Sequence, residues 1–228
     1  SDSIGSSESI GVLTVAVSKT LTTNDAIVAK VLDVNGTIDK TGDAGSLDVE
    51  LTSTLAGTIN TGARVSGTIG QLYTGVATID GNTVLTTTND DIRFANKVES
   101  VSAEKNLTLT TGTQNVLFAN TVGADANKEV GAIVITGGMI ASNTIEATSL
   151  TVSTTSTLTN DVTTTGIQTY SGAVTLAGDL TVNNSNTSSS AITFGSTVDG
   201  NQTLTANAGG QALVFTGAVG TTALTGLT

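Results

Sequence analysis

The sequence predicts an all-β protein and, within that class, a parallel β-solenoid, also called a β-helix. Thr accounts for 46 of the 228 residues, while Pro, Cys, His and Trp are absent. β-Branched side chains lose rotamer freedom in helices and pack well on a pleated sheet, so this composition favours strands. The absence of Pro agrees with a sheet in which every interior strand donates its N–H groups to a neighbour.

Short strand patterns that alternate apolar with polar residues return roughly every 18 to 24 residues. Examples are LTLT at residues 107–110 and LTVS at 150–153, and turn formers such as DGN at 80–82 separate the patterns. This period fits one coil of a solenoid, because stacked coils share a core that no coil buries alone. We therefore predict about ten coils, with apolar side chains inside and Thr outside. The residues predicted to be buried are Leu107, Leu109, Phe118, Leu150, Val152, Phe194, Leu204 and Phe215.

Four sequence matches, each spaced by close to 100 residues, divide the chain into two tandem units. Both Tyr and all four Phe lie at matched positions: Tyr73 matches Tyr170, Phe94 matches Phe194, and Phe118 matches Phe215. We predict an atypical amino-terminal strand segment at residues 1–30, a first β-repeat unit at 31–130 and a second at 131–228. The long period alone also allows tandem β-sandwich domains, which is the alternative fold.

The second unit carries motifs that point to a known family. They are GIQTYSGAVTL at residues 166–176, ITF at 192–194 with VDG at 198–200, and VFTGAVG at 214–220, with a fainter copy between residues 71 and 123. These motifs resemble the repeats of very large bacterial surface proteins of the filamentous-haemagglutinin type. The resemblance implies a right-handed β-helix, an extracellular or cell-surface location, and an adhesin or matrix role with no catalytic residues.

One departure from that family concerns secretion. Family members exported by a two-partner system carry an amino-terminal domain with Asn-Pro motifs, and this chain has no Pro. The resemblance therefore implies either a fragment of a larger protein or export by another route.

The charges argue against several classes of partner. The net charge is −11, and all eight basic residues lie at or before Lys128. Between residues 130 and 228 the only charges are Glu146, Asp161, Asp179 and Asp199. Phosphate groups of nucleic acids and anionic lipids require clustered Lys and Arg, so neither is an expected partner. No apolar run approaches the roughly 18 residues of a membrane span, so we expect no membrane insertion.

The chain offers few residues for chemistry, and we predict no enzyme activity and no required cofactor. Without His or Cys the usual zinc and copper ligand sets are excluded. Calcium is the remaining metal hypothesis, since it takes oxygen ligands. Its candidate ligands are Asp33, Asp39, Asp43, Asp90 and Asp91. Polysaccharide cleavage, the enzymatic alternative for a β-helix, would need paired carboxylates, and the acids of the second unit are isolated.

Three other surface features have simpler interpretations. Tyr73 and Tyr170 could stack on a sugar, but matched repeat positions favour a structural role at a coil corner. Thr-x-Thr pairs, as at residues 108–110, 157–159 and 203–205, are too irregular in sequence to predict an ice-binding plane. Residues 97–105 form a locally charged insertion, for which we predict a solvated loop.

The chain ends predict self-association. An uncovered solenoid edge is a template for another strand. The carboxyl end, residues 214–228, continues as strand-like sequence without charge, and the amino end carries an apolar strand pattern at residues 10–17 that lies outside the repeat. We expect an open homopolymeric filament joined by strand pairing, such as a surface or biofilm-matrix fibre. The alternative is a rod-like fragment of a large adhesin that binds a carbohydrate or another surface ligand. The residues predicted to form the joint are Ile10, Val12, Val15, Val17, Leu224 and Leu227.

Overall fold

The strands pair in parallel and build a solenoid of about nine turns, close to the ten coils predicted, and the described residues contain no helix. The computed structural model describes residues 9–23, 26–40, 46–63, 69–101, 104–185 and 191–228. The prediction of a parallel β-solenoid is confirmed. The β-sandwich alternative is wrong, because sandwich sheets are antiparallel and every described pairing here is parallel.

Twenty-four strands follow one another in the described part of the chain. They are β1 (Ile10–Val15), β2 (Thr20–Thr22), β3 (Ile27–Val34), β4 (Thr37–Lys40), β5 (Leu47–Leu55), β6 (Thr58–Ala63), β7 (Ile69–Tyr73), β8 (Val76–Ile79), β9 (Thr83–Thr88), β10 (Asp91–Phe94), β11 (Val98–Ser100), β12 (Leu107–Phe118), β13 (Val130–Ala141), β14 (Ile145–Val152), β15 (Ser156–Leu158), β16 (Val162–Thr164), β17 (Gln168–Tyr170), β18 (Val174–Leu176), β19 (Leu180–Asn184), β20 (Ile192–Phe194), β21 (Val198–Asp199), β22 (Thr203–Asn207), β23 (Leu213–Phe215) and β24 (Gly226–Leu227).

The turns of the solenoid contribute strand segments to three faces, and the longest strands bend from one face to the next. At two places a single bridge residue takes the place of a strand, Val122 on face 2 and Val219 on face 1. Face 1 contains the first parts of β3 and β5, then β7, β10, the last parts of β12 and β13, β15, β18 and β21. Face 2 contains β1, the last parts of β3 and β5, β8, β11, the first part of β14, β16, β19, β22 and β24. Face 3 contains β2, β4, β6, β9, the first parts of β12 and β13, the last part of β14, β17, β20 and β23.

Inward side chains form unbroken columns from coil to coil. On face 3 the column runs through Leu21, Ile38, Ile59, Leu85, Leu109, Ile135, Val152, Tyr170, Phe194 and Phe215. Seven of the eight predicted core residues are fully buried, as expected from the alternation. Phe215 is the exception: it is only half-buried, because no described strand covers the last rung of face 3.

The matched aromatic residues form two stacks inside the solenoid. Tyr73, Phe94 and Phe118 stack on face 1, with ring centroids 4.9 and 5.4 Å apart. Their counterparts Tyr170, Phe194 and Phe215 stack on face 3, with centroids 5.2 and 4.9 Å apart. The 100-residue period is therefore not a whole number of turns. Because all three faces bury alternate residues in the same way, one motif serves on either face.

A buried Gln accompanies the Tyr at the start of each stack. The Tyr170 hydroxyl donates to Gln168 Oε1 at 3.0 Å, and the amide of Gln168 donates to the carbonyl of Asn183 at 2.8 Å. In the first unit the Tyr73 hydroxyl donates to Gln71 Oε1 at 2.9 Å. Both Gln side chains are fully buried, so the Gln-x-Tyr pair satisfies polar groups that the core would otherwise leave unpaired.

The predicted unit boundaries do not interrupt the stack of strands. The boundary at residues 130 and 131 falls at the start of β13, which pairs with β12 along most of its length. The amino-terminal segment also joins the stack, since β1 pairs with β3 and β2 pairs with β4. The two sequence units therefore share one continuous core.

Candidate functional site

The calcium candidates are dispersed over the solenoid. Asp33 lies outward on face 2, where it accepts a hydrogen bond from the Asn35 amide at 2.8 Å, and Asp39 lies on face 3. Asp90 is fully buried, and Asp91 accepts the backbone N–H of Asn115 at 2.9 Å. Asp43 lies outside the described residues. Within the described part of the chain, no group of three or more acidic side chains could hold a metal ion. Of these candidates, Asp33 contributes to a turn and Asp91 to a contact between successive coils.

A charged cluster occupies the corner near β11. Lys97 Nζ donates to both carboxylate oxygens of Asp125, at 2.9 and 2.7 Å, and lies 4.0 Å from Glu99. The hydrogen bond from Lys97 holds the pKa of Asp125 below its usual range, whereas partial burial raises the pKa of Glu99. The solvated loop predicted for residues 97–105 is wrong in its first part, because Val98 and Ser100 are buried and belong to β11.

Glu146 lies outward on face 2, in a small depression that it shares with Glu129. Partial burial, and then repulsion from Glu129, raise the pKa of Glu146. An acid whose pKa is raised on folding favours the folded state when protonated, and this stabilisation is lost as the pH rises through its folded pKa.

We expect Glu146→Gln to raise the melting temperature at neutral pH and to change it little below about pH 4, where the unfolded carboxyl is itself protonated. Asp199→Asn provides a contrast, because a hydrogen bond from the Thr221 hydroxyl lowers the pKa of Asp199. That variant should lower the melting temperature at neutral pH. Thermal melts at pH 3.5 and 7 measure both changes, and a neutral-pH decrease for Glu146→Gln would contradict the prediction.

The two Tyr residues are internal. Both rings are fully buried in the aromatic stacks, and burial raises the pKa of each hydroxyl. The structural role predicted for them is confirmed, although they lie within strands of faces 1 and 3 rather than at a corner. Neither ring is available to stack on a sugar.

The amino-terminal coil leaves one side of β1 without a strand partner among the described residues. Of the four residues predicted for a joint here, Val15 points into the core at 5 % exposure, while Val12 and Val17 are 65 % and 70 % exposed. Ile10 is half-buried. Leu13, which the prediction omitted, also points inward and lines an open depression of about 300 Å³ at this end.

The carboxyl-terminal coil leaves the outer edges of β23 and β24 similarly unpaired within the described chain. Of the two residues predicted for a joint here, Leu227 is 51 % exposed, whereas Leu224 packs against the core. Both line a shallow depression of about 360 Å³ together with Val219. Each end of the solenoid therefore exposes part of its apolar interior.

From the rung of Val84 to that of Val214, the outward side chains of face 3 form two columns without charge. Successive residues of each column occupy successive rungs and are exposed or half-buried. The first column contains Val84, Thr108, Val134, Thr151, Thr169, Thr193 and Val214, and the second contains Thr86, Thr110, Thr136, Ser153, Ser171, Gly195 and Thr216. Nearer the amino end face 3 carries Asp39 in β4, and the other faces carry outward charges along more of their length. They include Asp48, Arg93 and Asp199 on face 1 and Asp33, Glu99 and Glu146 on face 2.

The strand order and the three faces define the chain as a parallel β-solenoid. It matches no protein-family model, no curated protein and no solved structure. Among the described residues, none forms a helix with the length and apolar character needed to span a membrane.

Proposed function

We propose that this chain is an extracellular structural subunit that polymerises end to end into a surface or matrix filament. The observation that supports this role best is that the two end coils expose complementary edges of one parallel ladder. The amino edge presents β1 and β2, and the carboxyl edge presents β23 and β24.

The backbone polarity of the two edges is complementary. An inward residue directs both of its backbone groups to the following coil: the N–H of Val98 donates to Thr121 at 3.0 Å, and its carbonyl accepts from Gly123 at 2.8 Å. The open edge at the carboxyl end of the solenoid therefore exposes the backbone N–H and C=O groups of inward residues. The open edge at the amino end exposes the backbone N–H and C=O groups of outward residues. These two sets pair in every internal rung, so they would also pair between two copies of the chain.

The arrangement of strands on face 2 dictates the form of the joint. Both β1 and β24 lie on this face. If β1 of the next copy paired with β24, face 2 would gain a rung that faces 1 and 3 do not have, and a gap of one strand would remain on each of those faces. If β1 of the next copy instead displaces β24 and pairs with β22, the strand ladders of all three faces continue from one copy to the next without a gap. In that joint Leu13 stacks over Ala206, Leu21 over Phe215 and Ile27 over Val219, which continues the inward columns.

Displacement of β24 is physically reasonable. It spans only two residues, whereas β1 spans six and would cover more of β22. The carboxyl-terminal coil carries no charge after Asp199, so charge repulsion opposes contact very little and added salt should change assembly only weakly.

Thr14→Pro tests the joint. Thr14 is an outward residue of β1, so its N–H points to the open edge, and Pro removes that donor without touching the bonds to β3. We expect the unmodified chain to form filaments in sedimentation and electron microscopy, and the Pro variant to remain a folded monomer. Thr14→Val keeps the N–H and should assemble normally.

An unmodified chain that stays monomeric at high concentration would contradict self-assembly. It would favour the second candidate function, a rod segment of a larger adhesin whose end coils are covered by further coils of the same polypeptide. The apolar depressions at both ends support that function equally, since a covering coil of either origin would bury them.

A further inference from the structure

The outer surface of face 3 has a property that the solenoid core does not require. From the rung of Val84 to that of Val214 it presents two columns of Thr, Ser and Val, with Gly195 at one position and no charge. Outward charges occur on the other two faces and, on face 3, at Asp39 two rungs before Val84. We propose that this face binds ice, with the ordered water of the crystal surface as its ligand.

The geometry of the face favours a ligand that is itself a lattice. Successive rungs of a sheet lie about 4.8 Å apart, and residues two apart on one strand lie roughly 6.6 Å apart. The first column of face 3 repeats the first distance over seven consecutive rungs in parallel register. At the rungs of Val84, Thr108 and Val134 both columns lie within paired strands, so those three rungs repeat both distances. Hexagonal ice repeats its oxygen positions at a distance close to the first and somewhat longer than the second. A soluble ligand without periodicity would use only a small part of such an array.

The chemistry of the two columns also fits water better than other extended ligands. Thr supplies a hydroxyl that bonds to water and a methyl group that water can enclose, and its β-branch restricts the side chain to few rotamers. The columns contain no aromatic ring on which a sugar could stack and no charge to attract an ionic surface or a polyelectrolyte. Val at three of the rungs preserves the shape and the methyl group of Thr.

The Thr-x-Thr pairs are irregularly spaced in the sequence, so the sequence alone does not reveal the two columns of face 3. The turns between rungs differ in length, so the sequence alone does not show that Thr108 and Thr151 belong to one column. Pairing through Val134 brings them into one column. The pair at residues 157–159 belongs to face 1. Sequence spacing therefore argues against ice binding, whereas the register supports it.

A matched pair of double variants tests the proposal with the complete chain. Thr151→Lys with Thr169→Lys places two charges in adjacent rungs of face 3. Thr157→Lys with Thr175→Lys places the same charges in adjacent rungs of face 1. The readouts are partition into a slowly growing ice front and inhibition of ice recrystallisation, with circular dichroism to confirm that both variants fold.

We expect the unmodified chain to enter the ice and to restrain recrystallisation, the face 3 variant to lose both properties, and the face 1 variant to keep them. Exclusion of the unmodified chain from ice, at the level of a control protein, would overturn the proposal. Equal loss in both variants would also overturn it, since binding would then not depend on face 3.

Carrying out the measurements in the Thr14→Pro background separates ice binding from end-to-end assembly. Lateral association of rods through face 3 without entry into ice would likewise count against the proposal.

Discussion

Replacing Phe194 with Ala is expected to lower the free energy of unfolding by about 3–5 kcal/mol. Phe194 is fully buried at the centre of the second aromatic stack, between Tyr170 and Phe215 and nearly parallel to both, with interplanar angles of 9° and 6°. Its loss removes buried apolar surface, leaves a cavity closed by the coils on either side and breaks two ring contacts. Urea denaturation followed by circular dichroism measures the change.

Phe215→Ala is the matched control for that prediction. The Phe215 ring belongs to the same stack but is only half-buried in the last coil, so its removal should cost about 1–2 kcal/mol and leave no closed cavity. Both variants should be compared in the Thr14→Pro background, because assembly would bury the last coil and blur the difference. Equal losses, or a loss below 1 kcal/mol for Phe194→Ala, would mean that the stack contributes little.

Replacing Gln168 with Ala is expected to destabilise the protein by about 2–4 kcal/mol, through unsatisfied buried groups rather than lost apolar burial. The substitution removes the acceptor of the Tyr170 hydroxyl and the donor to the Asn183 carbonyl. Buried polar groups without partners cost more than their hydrogen bonds contribute. Since stacked coils support one another, amide exchange should increase first in the neighbouring rungs.

A double-mutant cycle separates this network from simple packing. Tyr170→Phe alone should cost about 1–3 kcal/mol, because it leaves the Gln168 carbonyl oxygen unpaired. If the two side chains act as a pair, the double variant should lose less than the sum of the single losses. Gln202→Ala, at a partly exposed position outside the network, should change stability by less than about 0.5 kcal/mol. Additive losses would show that the Gln-x-Tyr pair is not coupled.

Local patterns predicted much of the fold. In a strand the side-chain direction alternates with every residue, so the inward set could be assigned from the alternation. It identified Leu107, Leu109, Leu150 and Val152 correctly. The same reasoning misplaced Phe215, because its pattern is that of a core residue and its exposure depends on the absence of a covering strand.

The candidate sites were harder to predict, since they depend on which rungs become neighbours. Acidic residues that are close in sequence, such as Asp33 and Asp39, lie on different faces. Lys97 and Asp125, which are distant in sequence, form an ion pair. The density of charge along the chain therefore does not show which charged side chains become neighbours.

The sequence by itself determined the class of fold, the inward and outward residues and the existence of two related units. These follow from β-branched composition, a side-chain period of two and direct self-similarity, all of which are local properties of the chain. Only the tertiary structure decided which face each strand joins. That assignment depends on the register between coils, which is set by turns of unequal length and by the continuity of the inward columns. For this reason the matched aromatic stacks occupy two different faces, and the neutral columns of face 3 emerge only when the coils are stacked.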